Sequence, residues 1–298
     1  MSLKIISDTK FDFLQQKRKA LLISVFIIVI SLFSFITQGL NYGIDFSSGY
    51  IIQLEFDKDV NVDRIKKSFS NNSIENSIVQ YYGSQREVII KLQESSSYDQ
   101  NNINTFISDV LNNYNYTIQK LDFVGSQIGS ELRTKGEWAM LVALISILVY
   151  IGFRFEFLYG IGAILALIHD VLITVGIFSI LQLQFDLSVL SALLAVIGYS
   201  LNDTIVVYDR IRENANLMHS DKPENILNRS INQTLSRTLI TSLTTLFVLF
   251  SLLIFGGIAV EYFSIAMIIG VLVGTFSSIY IAGASLYFLK VLENVDEN

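Results

Sequence analysis

Long apolar runs dominate this chain of 298 residues. A helix that crosses the hydrocarbon core of a bilayer needs about 20 mostly apolar residues. Six stretches meet that requirement, and five of them follow one another closely from residue 137 onwards: 19–39, 137–154, 159–181, 187–209, 238–256 and 261–289. The pattern predicts an integral membrane protein with an all-α bundle of six transmembrane helices.

A polar insert, residues 41–136, separates the first run from the second and is long enough to fold as a small domain. Alternating apolar positions predict strands at 50–56, 77–82, 87–92 and 116–124, and helical spacing predicts helices near 62–69 and 103–111. A turn at 83–85 separates the second strand from the third. This order is typical of ferredoxin-like α+β domains. We therefore expect three parts: a tail with the first helix (1–40), an α+β domain (41–136) and a bundle (137–298).

The distribution of Lys and Arg predicts the orientation. Five lie in the N-terminal tail and five in the loop 210–237, whereas the short connections 182–186 and 257–260 have none. Since Lys and Arg in short loops stay on the cytoplasmic side, we expect both termini and the loop 210–237 to be cytoplasmic. The domain 41–136 is then extracytoplasmic.

One stretch of the long loop has its own helical pattern. Residues 222–237 place Ile226, Leu227, Ile231 and Leu235 on one face of a helix. We predict that this helix lies along the membrane surface with its apolar face in the lipid.

Composition narrows the chemistry. The net charge of −6 offers no basic surface for nucleic acid, which needs clustered Lys and Arg. The absence of cysteine excludes disulfides, thiolate metal sites and cysteine nucleophiles. No phosphate loop, metal-ligand spacing or nucleophile–base pair is recognisable in the sequence. We expect no catalytic residues, no metal, no cofactor and no enzyme.

Ionisable side chains inside membrane spans are costly, so each is a functional hypothesis. His169 and Asp170 lie about 10 residues into the third span, near the middle of a bilayer at a rise of about 1.5 Å per residue. Asp203, preceded by Asn202, lies within the fourth span. Arg237 stands at the cytoplasmic mouth of the fifth span, before a stretch rich in Thr and Ser.

Each of these positions also has a structural interpretation. His169 and Asp170 can hydrogen-bond neighbouring helices without moving protons, and Arg237 can serve as a positively charged anchor on the cytoplasmic side. Asp209 and Arg210 are interpreted as an interfacial charge cluster at the end of the fourth helix. In the last span a stripe of small residues predicts close helix packing: Gly270, Gly274, Ser278 and Ala282.

The segment 195–214 resembles the signature of the fourth membrane helix in the SecF branch of the SecD/SecF family. Further matches are Gly43-Ile-Asp45-Phe46, Val124-Gly125, His169-Asp170-Val171 and 236–241, spread over nearly the whole chain. Two positions depart from the family pattern, Ser48 for a glycine and Ser126 for a proline. Apart from the candidate proton-coupling residues, the positions that carry the family motif are Gly43, Asp45, Gly198, Tyr199, Ser200, Asp209 and Arg210.

The resemblance implies an RND-like half-bundle that pairs with SecD as a heterocomplex and assists the SecYEG translocon in the bacterial inner membrane. It implies that the proton-motive force drives late steps of export of an unfolded polypeptide. Asp203 falls on the family's proton-linked aspartate and Arg237 on its functional arginine. Two rival functions stay open: an RND-type small-molecule exporter, and a scaffold that stabilises the translocon without transport.

Overall fold

A computed structural model describes residues 11–72, 74, 77–94, 98, 102–155, 157–218, 221–289 and 291. Its helices are α1 (Lys17–Gln38), α2 (Val62–Asn71), α3 (Ile103–Val110), α4 (Ser126–Arg154), α5 (Phe157–Ile180), α6 (Leu187–Leu217), α7 (Pro223–Phe255), α8 (Glu261–Ser277) and α9 (Gly283–Phe288). Its strands are β1 (Asn41–Tyr42), β2 (Gly49–Phe56), β3 (Ile78–Tyr82), β4 (Ser84–Gln93), β5 (Tyr116–Val124) and β6 (Gln184–Phe185).

Within the described ranges, six helical segments are long and apolar enough to cross a membrane, which confirms the predicted bundle: α1, α4, α5, α6, α7 and the stretch from α8 to α9. A π-helical segment, Ser278–Ala282, joins α8 to α9 without a break. Three helices extend further than hydropathy predicted. Helix α4 begins at Ser126, α6 runs on to Leu217, and α7 begins at Pro223.

Polar residues form these extra turns, so an apolar window misses them. In α4 the first turns are braced by ion pairs between residues four apart, Arg133 with Glu137 (3.2 Å) and Lys135 with Glu131 (2.7 Å). Residues 126–136, which we assigned to the α+β domain, are therefore the start of a membrane helix. The sheet itself ends at Val124.

The insert folds as the predicted α+β unit. Its sheet is antiparallel with the strand order β3-β4-β2-β5, and α2 and α3 connect strands in the order expected of a ferredoxin-like domain. Apolar side chains of alternate strand residues form one core with both helices, including Ile52, Ile90 and Phe69. Gly83 has φ +80 in the tight turn between β3 and β4, a conformation that favours glycine.

A small second sheet was not predicted. Strand β1, just after α1, pairs in parallel with β6, which lies between α5 and α6. Neither strand has more than two residues, so neither shows a period. This pairing joins the start of the α+β domain to the connection between two membrane helices.

The prediction of a surface helix at 222–237 is wrong. The segment is the first part of α7, and its apolar face (Ile226, Leu227, Ile231, Leu235) is buried. Leu227, Ile231 and Leu235 form a cluster with Phe13 and with Tyr208 and Leu286 of the bundle. An apolar stripe of this kind suits either lipid or protein, and here the extended end of α6 and the N-terminal tail cover it.

The N-terminal tail is held on α7 by two asparagines one turn apart. Asn232 accepts from the backbone N–H of Phe11 (3.0 Å) and donates to its carbonyl (2.8 Å). Asn228 accepts from the N–H of Leu14 (3.0 Å) and donates to Asp12 (2.8 Å). The tail therefore begins α1 from a fixed position against α7.

Helix α1 packs on α5 through serines. Gly176 gives room to Ser31, because a Cβ at that glycine would lie 2.1 Å from the serine side chain. One turn further, Ser34 and Ser179 share a hydrogen bond of 2.9 Å between their hydroxyls. The small side chains let the two backbones approach closely.

Candidate functional site

Asp170 is the centre of a polar network that joins three helices. Its carboxylate on α5 is fully buried. One oxygen, Oδ2, accepts hydrogen bonds from Ser200 on α6 (2.6 Å) and from Ser277 on α8 (2.8 Å). Gly274 makes room for Ser200, since a Cβ there would lie 3.1 Å from the serine side chain. Asp170 therefore holds α5, α6 and α8 in one register.

His169 forms a hydrogen bond with the other oxygen of the same carboxylate. Its Nδ1 lies 2.9 Å from Asp170 Oδ1, and its ring stacks on Phe276. One of these two atoms donates and the other accepts, so the imidazole and the carboxyl share a hydrogen. Nε2 is buried and has no hydrogen-bond partner among the described residues. The imidazole thus keeps one free polar atom inside the bundle.

Asp203 lies on α6, three residues after Ser200, and is 2% exposed. Thr241 on α7 faces it, with its hydroxyl 3.5 Å from Asp203 Oδ1. The second oxygen, Oδ2, is buried without a partner in the described part of the chain. Asp203 is therefore far less completely hydrogen-bonded than Asp170, although both carboxyls are buried.

Arg237 stands one turn before Thr241 on α7 and is exposed. Its backbone carbonyl accepts from the Thr241 hydroxyl (3.0 Å), and its charge acts on Asp203 through space. None of the ion pairs formed by the described residues includes Arg237. The two groups therefore face the same region without a direct contact.

Other polar atoms near Asp203 also lack partners. Tyr199 precedes it by one turn on α6, and its hydroxyl is buried without a hydrogen bond within the described ranges; the same holds for the hydroxyl of Thr238 on α7. Buried polar atoms are normally satisfied by protein or by ordered water. Asp203 Oδ2 and these hydroxyls form a set that water between α6 and α7 can satisfy.

Asn202 points away from this region. It is exposed, whereas Asp203 beside it is buried, because consecutive helical residues are about 100° apart. The same exposed side of α6 carries small side chains at intervals of three and four residues: Ser191, Ala195 and Gly198. A Cβ at Gly198 would meet no atom within 4 Å. Asn202 therefore belongs to a narrow outer stripe of α6 and not to the buried cluster.

The small residues of the last helix pack mainly against α6. A Cβ at Gly270 would lie 2.1 Å from Val196. Ser278 lies in the π-helical segment and shares a hydrogen bond of 3.1 Å with Thr204. Ala282, the last residue of the stripe, is fully buried. These contacts hold the helix that carries Asp203 against the α8–α9 stretch.

The remaining predicted residues lie at the two ends of α6. Asp209 forms an ion pair with Arg154 of α4 (3.2 Å), and Arg210 pairs with Glu213 (2.8 Å); both pairs are largely exposed. At the opposite end Gly43 is buried against Asp186, and Asp45 accepts a hydrogen bond from the backbone of α6.

Sequence reasoning missed Ser277, which contacts Asp170, and did not single out Thr241, which faces Asp203. Both are hydroxyl residues in otherwise apolar spans, where many serines and threonines bond only to their own helix. Ser242 and Thr275 also link two helices, at 2.7 Å, so a hydroxyl by itself does not mark the site. Thr241 lies one turn after Arg237 on α7, a signal that the sequence does offer, whereas Ser277 has no charged residue one turn away on its own helix.

Comparisons with known proteins agree on one family. The sequence profile described as "Protein export membrane protein SecD/SecF, C-terminal" matches residues 105–292, and that of the SecD/SecF GG motif matches 33–60. Protein translocase subunit SecF of Calditerrivibrio nitroreducens is 44% identical over 97% of both chains, and that of Vibrio alginolyticus is 42% identical over 93% of this chain and 89% of its own. The crystal structure of SecDF from Thermus thermophilus, a translocon-associated membrane protein, matches with a TM-score of 0.80 and 36% identity. That match covers 98% of this chain and 40% of the SecDF chain.

Proposed function

Because the chain belongs to the SecD/SecF family of protein export membrane proteins, we propose that it is an accessory subunit of the Sec protein translocase. In this proposal it acts with SecD to couple the proton-motive force to late steps of export across the bacterial inner membrane. The observation that carries the proposal is Asp203, a buried carboxyl in a membrane helix with one oxygen that no described residue hydrogen-bonds.

Asp203 binds and releases the proton. Burial in a membrane helix favours the neutral carboxyl, whereas an approaching guanidinium favours the carboxylate. Since Arg237 lies near Asp203 and forms no ion pair with any residue that the structure describes, a small shift of α7 against α6 changes the balance between the two forms. The protonated carboxyl no longer attracts Arg237, so the helices are then free to repack.

The energy available is sufficient for such a switch. One elementary charge that crosses the membrane gains about 2.3 kcal/mol per 100 mV. At about 1.4 kcal/mol for each factor of ten, this biases a two-state movement roughly 50-fold. The proton reaches Asp203 through water between α6 and α7, bound to the free hydroxyls of Tyr199 and Thr238.

The outer stripe of α6 is the surface that meets SecD. Small residues at intervals of three and four let a second membrane helix approach closely, and Gly198 has open space in front of it. Asn202 is a polar side chain exposed at membrane depth, where lipid offers it no hydrogen bond. A membrane helix of a partner subunit fills the space in front of Gly198 and offers Asn202 a hydrogen-bond partner.

The orientation follows the charge of the loops, with both termini and the loop 210–237 in the cytoplasm and the α+β domain outside. The contacts support this arrangement. The pairing of β1 with β6 requires the domain to lie on the same side as the α5–α6 connection. The contact of Asn232 with Phe11 requires the N-terminal tail to lie on the side of the loop 210–237.

Asp203→Asn tests the proposal, with Asp209→Asn as the matched control because Asp209 is exposed at the end of the same helix. The chain is reconstituted with SecD and SecYEG, and export of a secreted protein is measured with and without a proton gradient. Asp203→Asn should abolish the part of export that depends on the gradient, and Asp209→Asn should leave it. Normal export by Asp203→Asn would instead favour a scaffold, and efflux of small molecules without SecYEG would favour an exporter.

A further inference from the structure

A short segment, residues 43–48, ties the α+β domain to the helix that carries Asp203. We call it the strap. It follows β1, which pairs with β6 beside α6, and it ends where β2 enters the domain sheet at Gly49. The backbone N–H of Gly43 donates to the carbonyl of Phe185 (2.8 Å). The strap is therefore attached to the bundle at one end and to the domain at the other.

Asp45 makes the polar contact of the strap with α6. Its Oδ2 accepts from the backbone N–H of Leu187 (3.1 Å), the first residue of that helix. The next two N–H groups, of Ser188 and Val189, donate to Asp186 (3.0 and 3.1 Å). These N–H groups have no partner within the helix, so Asp186 alone would leave one of the first three open. Asp45 supplies that third acceptor from a distant part of the chain.

Packing leaves little freedom around this contact. A Cβ at Gly43 would lie 2.9 Å from Asp186, so no larger residue fits there without a shift. Phe46 is buried against Phe185, with ring centroids 6.0 Å apart. From the other side Gly129 of α4 lies against the carbonyls of the strap, where a Cβ would be 3.1 Å from the oxygen of Phe46.

The outer end of the strap is equally fixed. The carbonyl of Ser48 accepts from the N–H of Glu94 (3.0 Å), directly after β4. At Gly49 a Cβ would lie 2.2 Å from the carbonyl oxygen of Leu92. Three residues separate Asp45 from Gly49, so the strap has no slack to absorb a movement.

Helix α6 is continuous from Leu187 to beyond Asp203. The two residues are 16 positions apart, or about 24 Å along the axis. A displacement at one end of the helix is thus carried to the other. We propose that Asp45 is a positioning residue, and that the strap transmits movement between the α+β domain and the part of α6 that holds Asp203.

This inference rests on the proposed proton-linked role of Asp203, and the test separates the two. The chain has no cysteine, so spin labels can be introduced as Asp109→Cys on the domain and Ala259→Cys on the α7–α8 connection, both exposed. Their distance is measured in the complex with SecD in liposomes, with and without a proton gradient. The gradient, or Asp203→Asn, should shift the distance distribution.

Asp45→Ala should remove that shift, whereas Asp45→Asn should keep it because the amide oxygen still accepts from Leu187. Two glycines inserted between Ser47 and Ser48 should also remove it, since they add slack and leave the Asp45 contact intact; this variant decides the matter if Asp45→Ala does not fold. An unchanged shift in both Asp45→Ala and the insertion variant overturns the role of the strap alone. If neither the gradient nor Asp203→Asn shifts the distance in the parent chain, the proposed function itself fails.

Discussion

Ser200 on α6 donates a hydrogen bond of 2.6 Å to Asp170 on α5. Ser200 itself lies three residues before Asp203 on α6. The position of Asp203 is therefore set by a neighbouring carboxyl that is itself fully bonded. Because Asp170 is fully hydrogen-bonded and Asp203 is not, we expect different effects from substitutions of the two residues. Asp170 should matter for the stability of the bundle and Asp203 for its response to protons.

Asp170→Ala should lower the free energy of unfolding. It leaves the hydroxyl of Ser200 buried without its acceptor, at a cost of about 1–3 kcal/mol, whereas Ser277 keeps the carbonyl of Gly274 (3.1 Å) as an acceptor. Thermal unfolding of the purified protein measures this, with Ser191→Ala as an exposed control on α6. If Asp170→Asn keeps the stability but loses gradient-driven export, Asp170 takes part in proton transfer instead.

Thr241→Val should slow export that depends on the gradient. It removes the hydroxyl that faces Asp203 at 3.5 Å. Because that hydroxyl also lies within hydrogen-bond distance of the carbonyls of Arg237 (3.0 Å) and Thr238 (2.9 Å) on its own helix, the contact is worth about 0.5 kcal/mol, so the rate should fall roughly 2-fold. Thr244→Val is the matched control, because Thr244 is exposed and bonds to the carbonyl of Ile240 on its own helix. Equal export rates for the two variants would show that the Thr241 hydroxyl has no role at Asp203.

Gly198→Leu should prevent association with SecD. A Cβ at Gly198 would meet no other atom of the described residues within 4 Å, so a large side chain leaves the subunit folded and blocks the outer stripe of α6. Gly152→Leu provides the comparison, since Gly152 on α4 has equally open space. The measurement is copurification of SecD with a tagged subunit. Undiminished recovery with Gly198→Leu would place the SecD contact elsewhere.

A disulfide between Asn41→Cys and Gln184→Cys should leave export unchanged. The two positions are register partners in the parallel pair of β1 and β6, and adjacent strands lie about 4.8 Å apart, within the range of Cα separations that a disulfide spans. If the strap stays attached to α6 while protons are bound and released, a cross-link between these two strands does not slow export. Export that stops on oxidation and recovers on reduction would show that the pair must open.

The sequence predicted the six helices and the α+β order because burial in lipid or in a small core imposes long apolar runs and alternation. It failed where a helix continued into polar residues, as at the start of α4. It also grouped Asn202 with Asp203, although a helical period of 3.6 separates neighbours by about 100°. That error was avoidable from the sequence alone.

The contact of Asp45 could not be predicted in this way. Its partner, Leu187, lies 142 positions further along the chain and contributes only a backbone N–H, which leaves no trace in residue type. The same holds for the asparagines of α7 that hold the N-terminal tail. Contacts made by the backbone become visible only when the fold brings the segments together.

The serine seam between α1 and α5 has a consequence for biosynthesis. The hydrogen bond of Ser34 cannot form until Ser179, 145 positions later, has been synthesised. At about 5–20 residues per second, the ribosome delivers α5 roughly 7–30 s after α1. During that interval the serines of α1 lack their partner helix, so a nascent chain that stops before α5 exposes polar side chains that the finished protein buries.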